Sequence, residues 1–101
     1  MNKILAIDKK QDSLISIKAL INSYLPNCEV ITSISGKEGL IFAKEHKPDV
    51  ILLDAIILEM DGYALCNELK NNNKTKHIPI IMLADENKGS DIRVEGFKRG
   101  V

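Results

Sequence analysis

Asp49-Val50-Ile51-Leu52-Leu53-Asp54 is an unbroken apolar run closed at its far end by a carboxylate. Such a run reads as a strand buried on both faces, the kind found inside a parallel sheet, that delivers an acid to its carboxyl end. A charge at that place is either functional or an ordinary strand-end Asp that hydrogen-bonds the following turn. The rest of the chain can be arranged around it.

Upstream, Ile4-Leu5-Ala6-Ile7 is a second short apolar run, and it ends on Asp8. Asp12-Ser13 then offers a helix cap, after which Leu14, Ile17, Leu20, Ile21, Tyr24 and Leu25 fall on one helical face until Pro26-Asn27. Glu29-Val30-Ile31-Thr32-Ser33-Ile34 is β-branched and roughly alternating, which suits a strand nearer the sheet edge. Ser35 and Glu38 have capping-box spacing and open a helix that ends near His46, before Lys47-Pro48. Downstream of the central strand, Asp61-Gly62 opens a helix carrying Leu65, Cys66 and Leu69, and Asn71-Asn72-Asn73 forms its polar exit. Ile78 to Leu83 supply a fourth strand with Pro79 near its entry. A fourth helix is expected from about Ser90 to Arg99, with Ile92 and Val94 inward and Gly100 as C-cap.

Strand and helix alternate with short connections, the pattern of a doubly wound parallel α/β sheet. Right-handed crossovers bring the carboxyl ends of all its strands to one edge, where such folds bind ligands. If the first and third strands are neighbours, their backbones lie roughly 4.8 Å apart. Asp8 and Asp54 would then repel unless a cation or a proton sat between them.

The 101 residues suit one domain, spanning 1–101. Fourteen basic residues balance fourteen acidic ones, so there is no global field to attract nucleic acid, and no direct nucleic-acid binding by this segment is expected. No apolar run near the amino terminus is long enough for a signal peptide or a membrane span, so a cytoplasmic location is expected. Cys28 and Cys66 lack metal or redox spacing and read as reduced core residues; His46 and His77 read as surface residues with no paired nucleophile. The loop Asp8-Lys9-Lys10-Gln11-Asp12 has no glycine to admit a nucleotide phosphate, which argues against a flavin or nucleotide enzyme.

Taken together, Lys47-Pro48-Asp49-Val50-Ile51-Leu52-Leu53-Asp54, Met60-Asp61-Gly62-Tyr63, Lys76 to Leu83 and Gly96-Phe97-Lys98-Arg99-Gly100 resemble the receiver domain of two-component response regulators. The resemblance runs from Ile4 to Val101 and implies a flavodoxin-like receiver fold with strand order 2-1-3-4. It also implies a regulatory phosphoacceptor rather than an enzyme. Asp54 would take a phosphoryl group from a sensor histidine kinase or phosphotransfer protein, with Mg2+ held by Asp8, Asp54 and the main-chain carbonyl of Ile56. A carboxylate attacks phosphorus poorly unless a divalent cation neutralises the crowded oxygens.

The chain departs from the family pattern at several places. Lys9 stands where a second acidic metal ligand belongs. An ammonium about 4 Å from a cation is opposed by roughly 4 kcal/mol per unit charge at an effective dielectric of 20, which weakens the magnesium site. Lys9 either pairs with Asp54 in the cation's place or extends into water. Ala84 replaces the usual hydroxyl residue, and Asp85 follows it, as a cap of the fourth helix or a partner of Lys9 or Lys88. Leu58 stands where a proline is usual, with Glu59 next, in a loop expected to flank the pocket. The family's fifth strand and fifth helix would need roughly 20 further residues. The domain is therefore expected to be C-terminally incomplete: either a fragment of a longer product, or covered by another subunit. If the chain is stable by itself, a homodimer or a swapped assembly hiding the fourth strand and the face near Val101 is expected. Two functional expectations follow: a receiver with impaired or atypical phosphorylation at Asp54, or a pseudo-receiver that binds a partner without regulated phosphorylation.

Overall fold

The computed structural model of the chain describes residues 2–54, 62–83 and 92–93. In chain order these form β1 (Asn2–Ile7), α1 (Gln11–Tyr24), β2 (Cys28–Ser33), α2 (Gly36–His46), β3 (Val50–Asp54), α3 (Gly62–Lys70), β4 (Ile80–Leu83) and β5 (Ile92–Arg93). The sheet order is β2-β1-β3-β4-β5, with β2, β1, β3 and β4 all parallel. The doubly wound α/β architecture with strand order 2-1-3-4 is therefore present, and β3, the opening apolar run, lies at its centre.

The register places alternate residues on opposite faces of the sheet. Leu5 pairs with Ile51, Ile51 with Ile80, and Leu53 with both Ile7 and Met82. These residues all belong to one continuous core cluster with Ala43 of α2, Leu65, Cys66 and Leu69 of α3, and Ile78. Because β2→α2→β3 and β3→α3→β4 progress across the sheet in the same direction, right-handed crossovers put α2 and α3 on one face. The connection β1→α1→β2 runs the other way and puts α1 on the opposite face, where it packs on β2 and β1. On that face Ile4, Val50, Leu52, Ile81 and Leu83 are only half-buried.

This asymmetry corrects the expected inward face of α1. Leu14 is buried and Ile17 and Ile21 are half-buried, but Leu20 is 60%, Tyr24 77% and Leu25 53% exposed. A helical stripe of apolar residues requires a second surface to be covered, and among the described residues no helix stands beside α1 on its face of the sheet. The helix also starts earlier than Asp12-Ser13 predicts. Lys10 is its N-cap residue without a side-chain cap, and Asp12 lies in the first turn, where a carboxylate is favoured by the helix dipole.

The expected fourth helix is overturned where it can be seen. Ile92 and Arg93 form an antiparallel pair with Leu83 and Met82, so two residues of the proposed helix instead satisfy main-chain groups on the outer edge of β4. The last two residues of β4 are therefore not an open edge, contrary to expectation. Val94, Gly100 and the rest of that segment lie outside the described residues.

The second helix follows its sequence signature with one change. Ser35 Oγ accepts from Glu38 N–H at 3.1 Å, as a capping residue should, yet the Glu38 carboxylate does not return to Ser35. It accepts instead from Ser33 Oγ at 3.1 Å, while Ser35 N–H donates to Ser33 Oγ at 3.3 Å. The buried serine at the end of β2 has inserted itself into the cap. At the other end of α2, Lys47 takes the left-handed conformation, φ 50° and ψ 60°, and closes the helix by donating to Ala43 O.

Candidate functional site

The three innermost parallel strands end together. The β1–β3 register runs to Ile7 opposite Leu53, so Asp8 and Asp54 emerge at the same level on adjacent strands, and Asp54 itself lies opposite Leu83 of β4. Asp8 is 8% exposed and Asp54 is half-buried. A partly open carboxylate beside a buried one can be reached by a reagent from the edge while its neighbour is held by the protein.

Asp8 is held from two sides. Its N–H donates to Ser33 O at 3.0 Å, extending the β1–β2 ladder by one residue, and its Oδ1 accepts from Lys10 N–H at 2.9 Å. The second contact is an Asx-type turn that directs the chain into α1. Ser33 thus supports the site through its carbonyl, while its single hydroxyl proton is shared between Ser35 O at 2.9 Å and the Glu38 carboxylate. Ser33 was not a candidate on sequence. The available signal was a small hydroxyl residue at the last position of an edge strand, too common to single out.

Lys9 is half-buried immediately after Asp8. Ile56, Leu58, Glu59, Ala84 and Asp85 lie outside the described residues. The structure therefore brings Asp8, Lys9 and Asp54 to one edge.

Magnesium takes oxygen donors in a near-octahedral set. Among the described residues no group of three or more His, Cys, Asp or Glu side chains converges on a common point. One oxygen of Asp8 is already engaged by Lys10 N–H, and Lys9 adds a positive charge to the same loop. Asp8 and Asp54 are the two carboxylates that the described residues offer a divalent cation at this edge.

The remaining sequence candidates sit elsewhere. Cys28 and Cys66 are buried and not joined in a disulfide, as expected. His77 is exposed, but His46 is half-buried and sets its ring edge-on to Phe42 with centroids 5.6 Å apart, correcting its reading as a plain surface residue. Lys70 was not noticed in the sequence. Its ammonium donates to Lys76 O at 3.1 Å and Ile78 O at 2.5 Å, and burial lowers its pKa below the usual lysine value. It ties the end of α3 to the segment entering β4, on the flank of the sheet opposite the Asp8–Asp54 edge.

Residues 4–101 match the response regulator receiver domain family. The chain belongs to that family. It is 32% identical over 100 residues to the DNA-binding dual master transcriptional regulator RpaA of Synechocystis, covering 99% of this chain and 40% of that protein. It is 36% identical over 72 residues to the response regulator PleD of Caulobacter vibrioides, covering 71% of this chain and 16% of that one. Among solved structures, the receiver domain protein from Clostridium thermocellum matches with a TM-score of 0.77 and 28% identity, over 100% of this chain and 78% of that chain. The receiver domain thus spans well under half the length of both curated relatives. A receiver is a module of two-component signalling, regulatory rather than catalytic, that interacts with histidine kinases, and Asp54 occupies its central strand end. Among the described residues no helix is long and apolar enough to cross a membrane.

Proposed function

We propose that this receiver domain accepts a phosphoryl group on Asp54 from the phosphohistidine of a cytoplasmic sensor kinase or phosphotransfer protein, and that it does so slowly. The observation that carries this reading is the half-buried carboxylate at the end of β3, level with the buried Asp8. In the transfer an Asp54 oxygen attacks phosphorus as the phosphorus–nitrogen bond breaks, and the histidine nitrogen keeps that electron pair. Asp8, held by Ser33 O and Lys10 N–H, has its side chain at a set place beside the reacting carboxylate. Asp8, Asp54 and the carbonyl of Ile56 are the groups that would hold magnesium. Lys9 weakens that hold, and Ala84 offers no hydroxyl to the phosphorylated form. Residues 1–101 would act as the receiver portion of a longer protein whose output lies outside them.

Lys9 next to Asp8 also favours a second reading, a pseudo-receiver that engages its partner without phosphorylation. Intact mass after incubation with acetyl phosphate and magnesium separates the two, with Asp54→Asn as control. A phosphate-sized gain that the control lacks supports the acceptor. A folded protein that gains nothing, while Lys9→Asp gains one phosphate, supports the pseudo-receiver and names the residue responsible.

A further inference from the structure

The turn between α3 and β4 concentrates positive charge in a chain whose net charge is zero. It carries Lys70, Lys74, Lys76 and His77, and no acidic residue occurs from Leu69 to Leu83. Lys74, Lys76 and His77 are exposed. The backbone beneath them is fixed. Asn72 O accepts from Thr75 N–H at 3.0 Å and from Lys76 N–H at 2.8 Å, and Asn72 Oδ1 accepts from Lys74 N–H at 2.8 Å. The buried Thr75 hydroxyl donates to Leu69 O, and the Lys70 ammonium donates to Lys76 O and Ile78 O. The polar groups of the turn are thus spent on holding its shape, while the Lys74 and Lys76 side chains face solvent. Ile51 N–H donates to Pro79 O at 3.0 Å, which places the turn at the entry edge of the sheet, opposite the Asp8–Asp54 edge.

We infer that this turn is a docking surface for a short acidic segment of a partner protein, whose carboxylates pair with Lys74 and Lys76. Charge complementarity requires an anion, and the surroundings of the turn decide its size. Glu68 on α3, Glu45 near the end of α2 and Asp49 before β3 are exposed acids that flank the basic turn. A long polyanion or an anionic bilayer would lie against those acids as well as the lysines, and to it the domain presents no net charge. A short acidic segment responds to charges within about 8 Å, the screening length at physiological salt, and so meets a locally positive field. No Phe, Tyr or Trp occurs from Lys70 to Leu83, so the turn lacks the stacking platform that a single-stranded nucleic acid uses. The exposed Asn71 and Asn73 add amide donors for carboxylate or main-chain oxygens. Because the turn is already ordered, binding costs mainly the freedom of the lysine side chains. A segment docked here leaves the Asp54 edge free.

Fluorescence anisotropy of a short fluorescein-labelled peptide rich in Glu and Asp, titrated with the 101-residue chain at low salt, tests this. Lys74→Glu/Lys76→Glu should weaken binding by at least about tenfold, since two attractive contacts become repulsive. Lys18→Glu/Lys37→Glu makes the same change in net charge at exposed lysines of α1 and α2, and should alter the affinity by less than about twofold. Vesicles containing phosphatidylglycerol and a duplex DNA, offered as the other anions, should bind more weakly than the peptide. An equal loss in the two double variants overturns the inference, because net charge alone then accounts for binding. Tighter binding of the vesicles or the DNA than of the peptide also overturns it, as does the absence of peptide binding by a chain with a native far-UV spectrum.

Discussion

The two faces of this sheet are built from the same five strands, yet one is closed and the other is half open. On the face of α2 and α3, Leu5, Ile7, Ile51, Leu53, Ile80 and Met82 are at most 1% exposed. On the face of α1, their sequence neighbours Ile4, Leu52, Ile81 and Leu83 stay half-buried. Apolar character is nearly equal on both sides, so composition does not account for the difference. The helices do: among the described residues, α2 and α3 cover one face and α1 alone the other. Burial follows the count of covering layers, and a strand residue contributes its full hydrophobic free energy only where a layer lies over it.

The largest expected effect sharpens that contrast within one strand. Leu53→Ala should lower the free energy of unfolding in urea by about 3 to 4 kcal/mol, because it opens a cavity in the closed core. Leu52→Ala, one residue away on the other face, should cost about 1 kcal/mol. Equal losses at the two positions would break the comparison.

Lys70→Met should cost about 1 to 2 kcal/mol at neutral pH, since the Lys76 and Ile78 carbonyls lose their charged donor. The pH dependence carries a definite sign. Burial lowers the folded pKa of Lys70 below its unfolded value of 10.5, so across that window the unfolded chain binds more protons. The contribution of this group to stability therefore rises as pH approaches 10.5 and is lost as pH falls through the folded value. Unfolding of wild type and Lys70→Met compared between pH 8 and 10.5 should show the wild-type slope more positive.

Gly39→Ala probes how tightly α2 sits on the closed face. A Cβ at Gly39 would meet Ile7 Cδ1 at 2.5 Å and Cγ1 at 3.0 Å, and Ile7 is fully buried. The clash should outweigh the better helix propensity of alanine, for a net loss of about 1 kcal/mol. Lys47→Gly should go the other way and raise the free energy of unfolding by about 0.5 to 1 kcal/mol, because Lys47 holds a left-handed conformation that glycine adopts without strain. The smallest effect belongs to the half-open face: Leu20→Ala should change the stability of the monomer by less than about 0.5 kcal/mol in dilute solution.

Legibility in the sequence followed the range of the interactions involved. Strand-end acids at 8 and 54 could be read from local apolar runs, and the parallel order from the alternation of strands and helices. The Ser35 cap was readable because its partner is three residues away. Ser33 was missed because its link to Asp8 crosses from β2 to β1, and Lys70 because its partners lie in the segment after α3. The fourth helix failed for a related reason. Ile92 and Arg93 have helix-compatible neighbours, but the unpaired edge of β4 recruits them as a strand.

By itself, then, the sequence determined the parallel α/β scaffold and the placing of Asp8 and Asp54 at one edge, because periodicity and residue order carry that information. Only the tertiary structure decided which apolar residues are covered. Periodicity marks a face as apolar, but the covering layer comes from elsewhere in the chain or from another molecule. That is why Leu14 is buried, while Leu20 and Tyr24 of the same helix stand in solvent.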